Sequence, residues 1–417
     1  MGSLRLIDNA AIWTAGIPNG WQLVQLKHVV TKLNRVPNEG DSVLICTNKG
    51  TVIPRDQGNP GLISLTNAGY QGVEPGDLLI HGMDTWHGAI AVSSIRGQCT
   101  SVVHVCDSSQ DKRFIAYYLR ALAFRGVYKA FSNGVRQNTS DFRSWVKAGE
   151  IPLILPTIEE QRHIADYLDA MCAEIDGAIK SAESSISDYK AYRNALVYQT
   201  VMHGMSSHSQ SVKESGVSYI GTIPQNWSCV PIKLRFEIVK RIAGGGGFKV
   251  LSITQKGLKP KDFSTGKGQF ARSYDNYQIV EPGDFAMNHM DLVTGWVDLS
   301  SQLGVTSPDY RVFKARDDSM EKRYYLYVFQ SYYSALVFYG FGKGISGKGR
   351  WRLPAPAFYS TMIPVPPLNE QHVIADCLDA KCSIIDEAIT SKQSIIDDLK
   401  AYKQSLIYEV VTGKKEV

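Results

Sequence analysis

The second half of this 417-residue chain restates the first. Gly16 to Trp21 reads G-I-P-N-G-W and Thr222 to Trp227 reads T-I-P-Q-N-W; V-E-P-G-D occurs at Val73 to Asp77 and again at Val280 to Asp284. Met83-Asp84 returns as Met290-Asp291, Thr100-Ser101 as Thr306-Ser307, and Tyr117-Tyr118-Leu119 as Tyr324-Tyr325-Leu326. E-Q-R-H-I-A-D-Y-L-D-A, from Glu160, is matched by E-Q-H-V-I-A-D-C-L-D-A from Glu370, and the offset stays between 206 and 210 throughout. A period that long is not a solenoid unit, so each copy is a domain with an appendage. The junctions and appendages repeat well. The interiors, such as Leu26 to Gln71 against Lys233 to Gln278, hardly match. One scaffold with two diverged interiors suggests one kind of task performed on two targets.

The appendages read as long helices. Leu168, Ile175, Ala182, Tyr189 and Leu196 fall seven apart, beside a stripe at Ile164, Met171, Ala178, Ser185 and Tyr192. The second copy gives Leu378, Ile385, Lys392, Leu399 and Leu406 beside Ile374, Lys381, Ala388, Ile395 and Tyr402. Sustained heptads of this kind demand a partner seam, and the other copy supplies one. An intramolecular antiparallel coiled coil is therefore expected, holding the two domains apart like a ruler. Prolines precede both helices, and Glu159, Glu160 and Glu370 fall in first turns where the helix dipole favours acids. Within each domain, short β-rich runs such as Asp41 to Val52 and Asp77 to Ser94 alternate with Gly and Pro punctuation, while Phe114 to Phe131 and Glu321 to Val337 read as amphipathic helices. The fold class is α+β: two tandem recognition domains, each a twisted, mostly antiparallel sheet with helices. The expected boundaries are domain 1 at 1–158, helix 1 at 159–206, a linker at 207–222, domain 2 at 223–368, helix 2 at 369–411 and a tail at 412–417.

Charge is distributed unevenly. Residues 159–205 and 369–411 each carry eight acids and four bases, so a chain of net charge +5 has +13 outside its two helices. Acidic helices beside basic domains are expected when only the domains face a polyanion. No run of about 18 apolar residues marks a membrane span, and the N-terminus lacks an apolar leader with a cleavage site. The seven cysteines form no C-x-x-C pair. They read as reduced thiols in a cytoplasmic protein.

Familiar catalytic patterns fail on inspection. Gly342 to Lys348, G-K-G-I-S-G-K, superficially fits two phosphate-binding patterns, but Gly349 stands where a P-loop needs Ser or Thr and the following G-R-W-R-L-P-A-P opens no helix. There is no D-P-P-Y or N-P-P-Y tetrapeptide and no E-x-K; D-x-K occurs only at Asp188, Asp379 and Asp398, all on the helices. His81 and His87 lack further ligands, so neither catalytic nor metal-ligating residues are expected. What remains is a glycine-rich loop carrying Lys343, Lys348, Arg350 and Arg352 around Trp351, without an acid. Its counterpart, Phe131 to Phe142, carries Arg136, Gln137 and Asn138, types able to pair bidentately with guanine or adenine edges. These seven residues are the candidate DNA contacts, with the basic stretch Arg241 to Arg272, containing G-G-G-G, as a further candidate.

The I-P-x-x-W openings, the I-P-L-I-L-P and I-P-V-P-P-L-N-E-Q junctions, and the paired A-D-Y-L-D-A and A-D-C-L-D-A helices ending at M-H-G and V-T-G resemble the specificity subunit of type I restriction–modification systems. The resemblance covers essentially the whole chain; its first junction departs mildly, reading P-T-I-E-E-Q. It implies two target-recognition domains, each reading half of a split, asymmetric site in double-stranded DNA, with the helices setting the spacing. It implies two docked modification subunits that use S-adenosylmethionine to methylate adenine N6, and motor–nuclease subunits that use ATP and magnesium. The chain itself would bind no cofactor and catalyse nothing. A free-standing DNA-binding regulator and a bare coiled-coil scaffold are the alternatives from other classes.

Overall fold

The computed structural model describes residues 16–55, 69–128, 142–205, 211–255, 257–261, 273–344 and 351–417. They form two units that do not follow chain order: residues 1–183 with 394–417, and residues 184–393. Each unit thus joins one domain to the beginning of its own long helix and the end of the other.

Both domains use the same sheets in the same order. In the first unit Thr31–Lys32, Val103–Asp107, Leu78–His81 and Ile90–Val92 make a four-stranded antiparallel sheet, and in the second Phe236–Val239, Arg311–Ala315, Phe285–Met287 and Val297–Leu299 repeat it. Register is kept: Leu78 faces Cys106 as Phe285 faces Phe313, and Leu79 faces Val105 as Ala286 faces Val312. The interiors diverge because the same space is filled differently. Buried aliphatic side chains line the first sheet, whereas Phe236, Phe285, Phe313 and Phe329 pack ring against ring in the second, with centroids 5.1 to 5.8 Å apart. Cores of equal volume tolerate such exchange.

The repeated motifs are joints. Gln22–Gln25, after the first I-P-N-G-W, pairs with Pro152–Leu155, and Ser228–Pro231 pairs with Met362–Val365, so each domain's first and last strands close on one another. At that seam Trp21 donates its indole N–H to Glu160 (3.1 Å) and Trp227 donates to Glu370 (2.7 Å), in the first turns of the long helices. Gln161 donates to the Pro156 carbonyl as Gln371 does to that of Pro366. The V-E-P-G-D turns hold their glycines at φ 91° and 86° and bury their aspartates. Asp77 accepts from Arg35 (2.5 Å) and from the Glu74 N–H; Asp284 accepts from Arg241 (2.6 Å) and from the Glu281 N–H.

The long helices run from Ile158 to His203 and from Leu368 to Val411. A short helix of each domain is clamped to its own long helix. Arg113, in Lys112–Phe124, binds Asp111, Asp166 and Asp169, and Tyr117 donates to Asp169. Arg323, in Lys322–Ser334, binds Glu321, Asp376 and Asp379, and Tyr327 donates to Asp379.

Within each unit the two helices are antiparallel. In the first, Gly413, just past the second helix, lies against Pro18 and the Trp21 ring beside Glu160, while Lys403 binds Asp176 at 2.7 Å. In the second, Gly204 lies against Trp227 beside Glu370, while Arg193 binds Asp386 at 3.1 Å. The two ion pairs are the same pair: 193 and 403, like 176 and 386, differ by 210.

Burial corrects the expected seam. Leu168, Ile175, Leu378, Ile385 and Leu406 are buried, Leu196 and Leu399 half-buried, and Tyr189 is 37% exposed. A tyrosine at a seam's edge covers apolar surface with its ring while its hydroxyl keeps water. Ile164 and Ile374 are buried as expected, but beyond them the second stripe runs one residue later, through Cys172, Ile179 and Ile186, and through Cys382, Ile396 and Val410; Ala178, Tyr192, Lys381, Ile395 and Tyr402 are exposed. Spacings of three-then-four and four-then-three residues both make heptads, and here the isoleucines at 179 and 186 decide between them. The stretch expected as linker also holds a strand, Val212–Glu214, paired with Thr222–Pro224.

Asp284→Ala is expected to cost about 1–3 kcal/mol, because it takes the buried acceptor from the Glu281 N–H and leaves Arg241 with Glu281 alone. Urea unfolding of the purified chain, followed through the second unit, measures the loss; a midpoint equal to wild type would make the duplicated Arg–Asp joint dispensable.

Candidate nucleic-acid interface

Two candidate contacts from the sequence, Lys343 and Arg352, are brought together. They exchange backbone hydrogen bonds, Lys343 N–H to Arg352 O at 2.8 Å and Arg352 N–H to Lys343 O at 3.0 Å, as an isolated antiparallel bridge. Directly opposed residues of such a bridge project to one side. Both are exposed, and neither makes an ion pair among the described residues. Like charges held opposite one another repel, and an anion between or above them removes that cost. Lys348, Arg350, Arg136, Gln137 and Asn138 lie outside the described residues.

The bridge has a rigid base. Trp351 stacks on Tyr339 with centroids 5.3 Å apart and donates its indole N–H to the Tyr339 carbonyl at 2.8 Å. Leu353 N–H donates to His289 O at 2.9 Å, and Arg311 donates to Leu353 O at 2.7 Å. Arg311 is buried, lies 4.8 Å from the Phe358 ring centroid, and has no carboxylate partner among the described residues. Burial pulls its guanidinium down to about 10. Burial first, then the nearby charges of Arg311 and Arg352, pushes His289 down to about 4. An uncharged imidazole beside two arginines marks an electropositive corner.

The first domain has the matching place. His104 holds Phe142 O at 2.7 Å and meets the Trp145 ring edge-on at 5.4 Å. Arg143, next to Phe142, is exposed without an ion pair among the described residues. Sequence reading missed Arg143, although F-R-S-W sets an arginine near a tryptophan as G-R-W-R does.

The other basic stretch is divided. Arg241 is occupied by Asp284 and Glu281, so it is removed from the candidates by its role in the turn joint. Lys249 and Lys259, at the hairpin Leu251–Thr254 with Gly257–Pro260, are exposed and make no ion pair among the described residues. The described residues contain no group of three or more metal-ligating side chains, and no helix among them is long and apolar enough to cross a membrane.

The α+β domain is thus built twice, each copy with exposed basic residues on a fixed base and a long helix at its exit. Residues 240–400 match the family described as "Type I restriction modification DNA specificity domain". That match lies within the second copy and the helix that follows it, and the first copy repeats the four-stranded sheet of the second. A curated relative, the putative type I restriction enzyme MjaX specificity subunit of Methanocaldococcus jannaschii, is 23% identical over 281 residues; the match spans 66% of this chain and 62% of that relative. A chain from a solved structure titled for complex assembly and conformational transition of the type I R-M system superposes with a TM-score of 0.68 at 14% identity, covering 96% of this chain and 99% of that one. The whole chain therefore has that fold. The HsdS subunit from Thermoanaerobacter tengcongensis superposes more loosely, with a TM-score of 0.48 at 15% identity over 96% of this chain and 98% of that one.

Lys343→Ala and Arg352→Ala are each expected to weaken binding to every duplex sequence and to lower the slope of log affinity against log salt by about one. Salt titrations of DNA binding check this; unchanged slopes for both would remove the bridge from the interface. Acid provides another test. The folded value of His289 lies below its ordinary 6.5, so its contribution to stability is intact above pH 6.5 and is lost as pH falls toward about 4. His289→Gln should flatten the fall in urea midpoint of the second unit across that window, and an unaltered profile would contradict the assignment.

Proposed function

We propose that this chain is the DNA-reading, non-catalytic subunit of a type I restriction–modification assembly. Each domain reads one half of a bipartite, asymmetric site, and the long helices carry the docking faces for two modification subunits. Those subunits bring S-adenosylmethionine and transfer its methyl group to adenine N6; motor–nuclease subunits, when they join, bring ATP and magnesium. The observation that carries this reading is the duplication itself. Joints, clamps and register are kept in both copies, while the interiors and loop side chains differ, as two readers of different half-sites on one frame require. The family match over residues 240–400 supports the same reading.

A reader needs phosphate contacts that fix its register and base contacts that supply the sequence. The Lys343–Arg352 bridge fits the first task. Acidic, solvent-facing helices are poor surfaces for DNA and suit protein partners instead.

The purified chain, given S-adenosylmethionine, ATP and magnesium, is expected neither to methylate nor to cut DNA. Co-expressed with modification subunits, it should direct adenine methylation to one two-part motif, and exchanging residues 223–368 for those of a diverged homologue should alter only one part. Methyl transfer by the chain alone, or a motif that changes in both parts, overturns the proposal.

A further inference from the structure

Each four-stranded sheet carries one polar residue in a setting built for apolar ones. His104 lies between buried Val103 and Val105, and Arg311 precedes buried Val312 and Phe313. The two occupy the same place in register, His104 opposite Ile80 and Arg311 opposite Met287. Both are buried, at 0% and 6% exposure, and each leaves a nitrogen unpartnered: Nδ1 of His104 and Nη1 of Arg311. Buried polar atoms without partners are uncommon because they forfeit hydration without replacement. An apolar residue here would pack as its neighbours do, so packing does not explain the choice.

What the two residues share is one bond. His104 Nε2 lies 2.7 Å from the carbonyl of Phe142, and Arg311 donates to the carbonyl of Leu353 at 2.7 Å. Each carbonyl is next to an exposed arginine, Arg143 in the first domain and Arg352 in the second. Chemistry has diverged from imidazole to guanidinium, but the bond has stayed. A side-chain donor reaching from the sheet to that backbone carbonyl is the feature common to both copies.

We propose that His104 and Arg311 are positioning residues for DNA recognition, each fixing through one backbone carbonyl the segment that presents Arg143 or Arg352. This rests on the functional reading above. Neither side chain touches DNA; each sets where its neighbouring arginine stands. Because the two bonds lie in separate domains, each governs one half-site. In the second domain the anchor is reinforced by Leu353 N–H on His289 O and by the Trp351 stack. In the first, the segment is pressed against Gly82, where an added Cβ would lie 3.0 Å from the Phe142 carbonyl.

The test uses the full chain assembled with its modification subunits, reading the methylated motif and the affinity for duplex DNA. His104→Phe keeps a ring against Trp145 without the donor; Arg311→Met keeps an unbranched stem against Phe358 without it. His104→Phe should relax discrimination roughly tenfold at one or more bases of the half-site read by the first domain, the scale of one hydrogen bond's net worth, and leave the other half-site unchanged. Arg311→Met should do the converse. His104→Gln and Arg311→Lys, which keep an N–H donor, should recover most of the discrimination; a merely structural role would lower methylation of both half-sites together. If Arg311→Met does not assemble, Arg311→Leu, apolar and without a donor, carries the same expectation. A wild-type complex that methylates no two-part motif defeats the functional reading. A wild-type complex that does, with variants keeping motif and affinity, defeats only the positioning inference.

Discussion

Helices of 46 and 44 residues, each with an apolar seam, cannot stand alone in water, and the rest of the chain is arranged around burying them. Burying one requires the other to run beside it in the opposite sense. That is why each unit is assembled from a domain, the start of one helix and the end of the other. The ion pairs Asp176–Lys403 and Asp386–Arg193 are one interaction made twice under this constraint. With both carboxylates more than half exposed, they add little stability. Their use is to fix register, since a one-heptad slip would take Asp176 from Lys403 and set it opposite an apolar residue.

From that frame outward, rigidity is handed on in steps. The Trp–Glu bonds tie each domain's closing seam to a helix start, and the Arg113 and Arg323 clamps tie a short helix to the same stretch. The buried Asp77 and Asp284 turns feed the central strands Leu78–His81 and Phe285–Met287, and those strands pair with the ones that carry His104 and Arg311. Basic side chains at the edge of such a stack are held in place at little entropic cost on binding. In the second domain Lys343 and Arg352 stand at its end.

Much of this was legible in the sequence, and the manner of its legibility is instructive. The repeat, the long helices and the first heptad stripe could be read because their signals are local or periodic. The joints could not be read from one copy, since Trp21 and Glu160, or Arg113 and Asp169, are remote along the chain. They were present in the comparison of the two copies: Trp, Arg, Tyr and Asp each recur at the repeat offset and bond the same partners. The second stripe was misplaced by one residue because two heptad phasings share the same leucines. His104 and Arg311 escaped altogether. Their side chains differ, so no matching of letters finds them, and only register in the sheet shows that they do one job. The base-reading candidates Arg136 to Asn138 rest on side-chain type alone.

The division into units also has a temporal side. Residues 184–393 form a contiguous unit, whereas the other unit needs Ser394–Val417 to return across all of them. A chain made from its N-terminus onward has every residue of the contiguous unit in hand while the first domain still lacks its last helical strip. Closing a loop over so many residues costs only slowly increasing entropy, but it slows the search. The first domain, synthesised first, is thus the last to be finished, and until then the seam of residues 158–183 lacks its partner. A folding helper that shields amphipathic helices would be felt most strongly by the first-made domain.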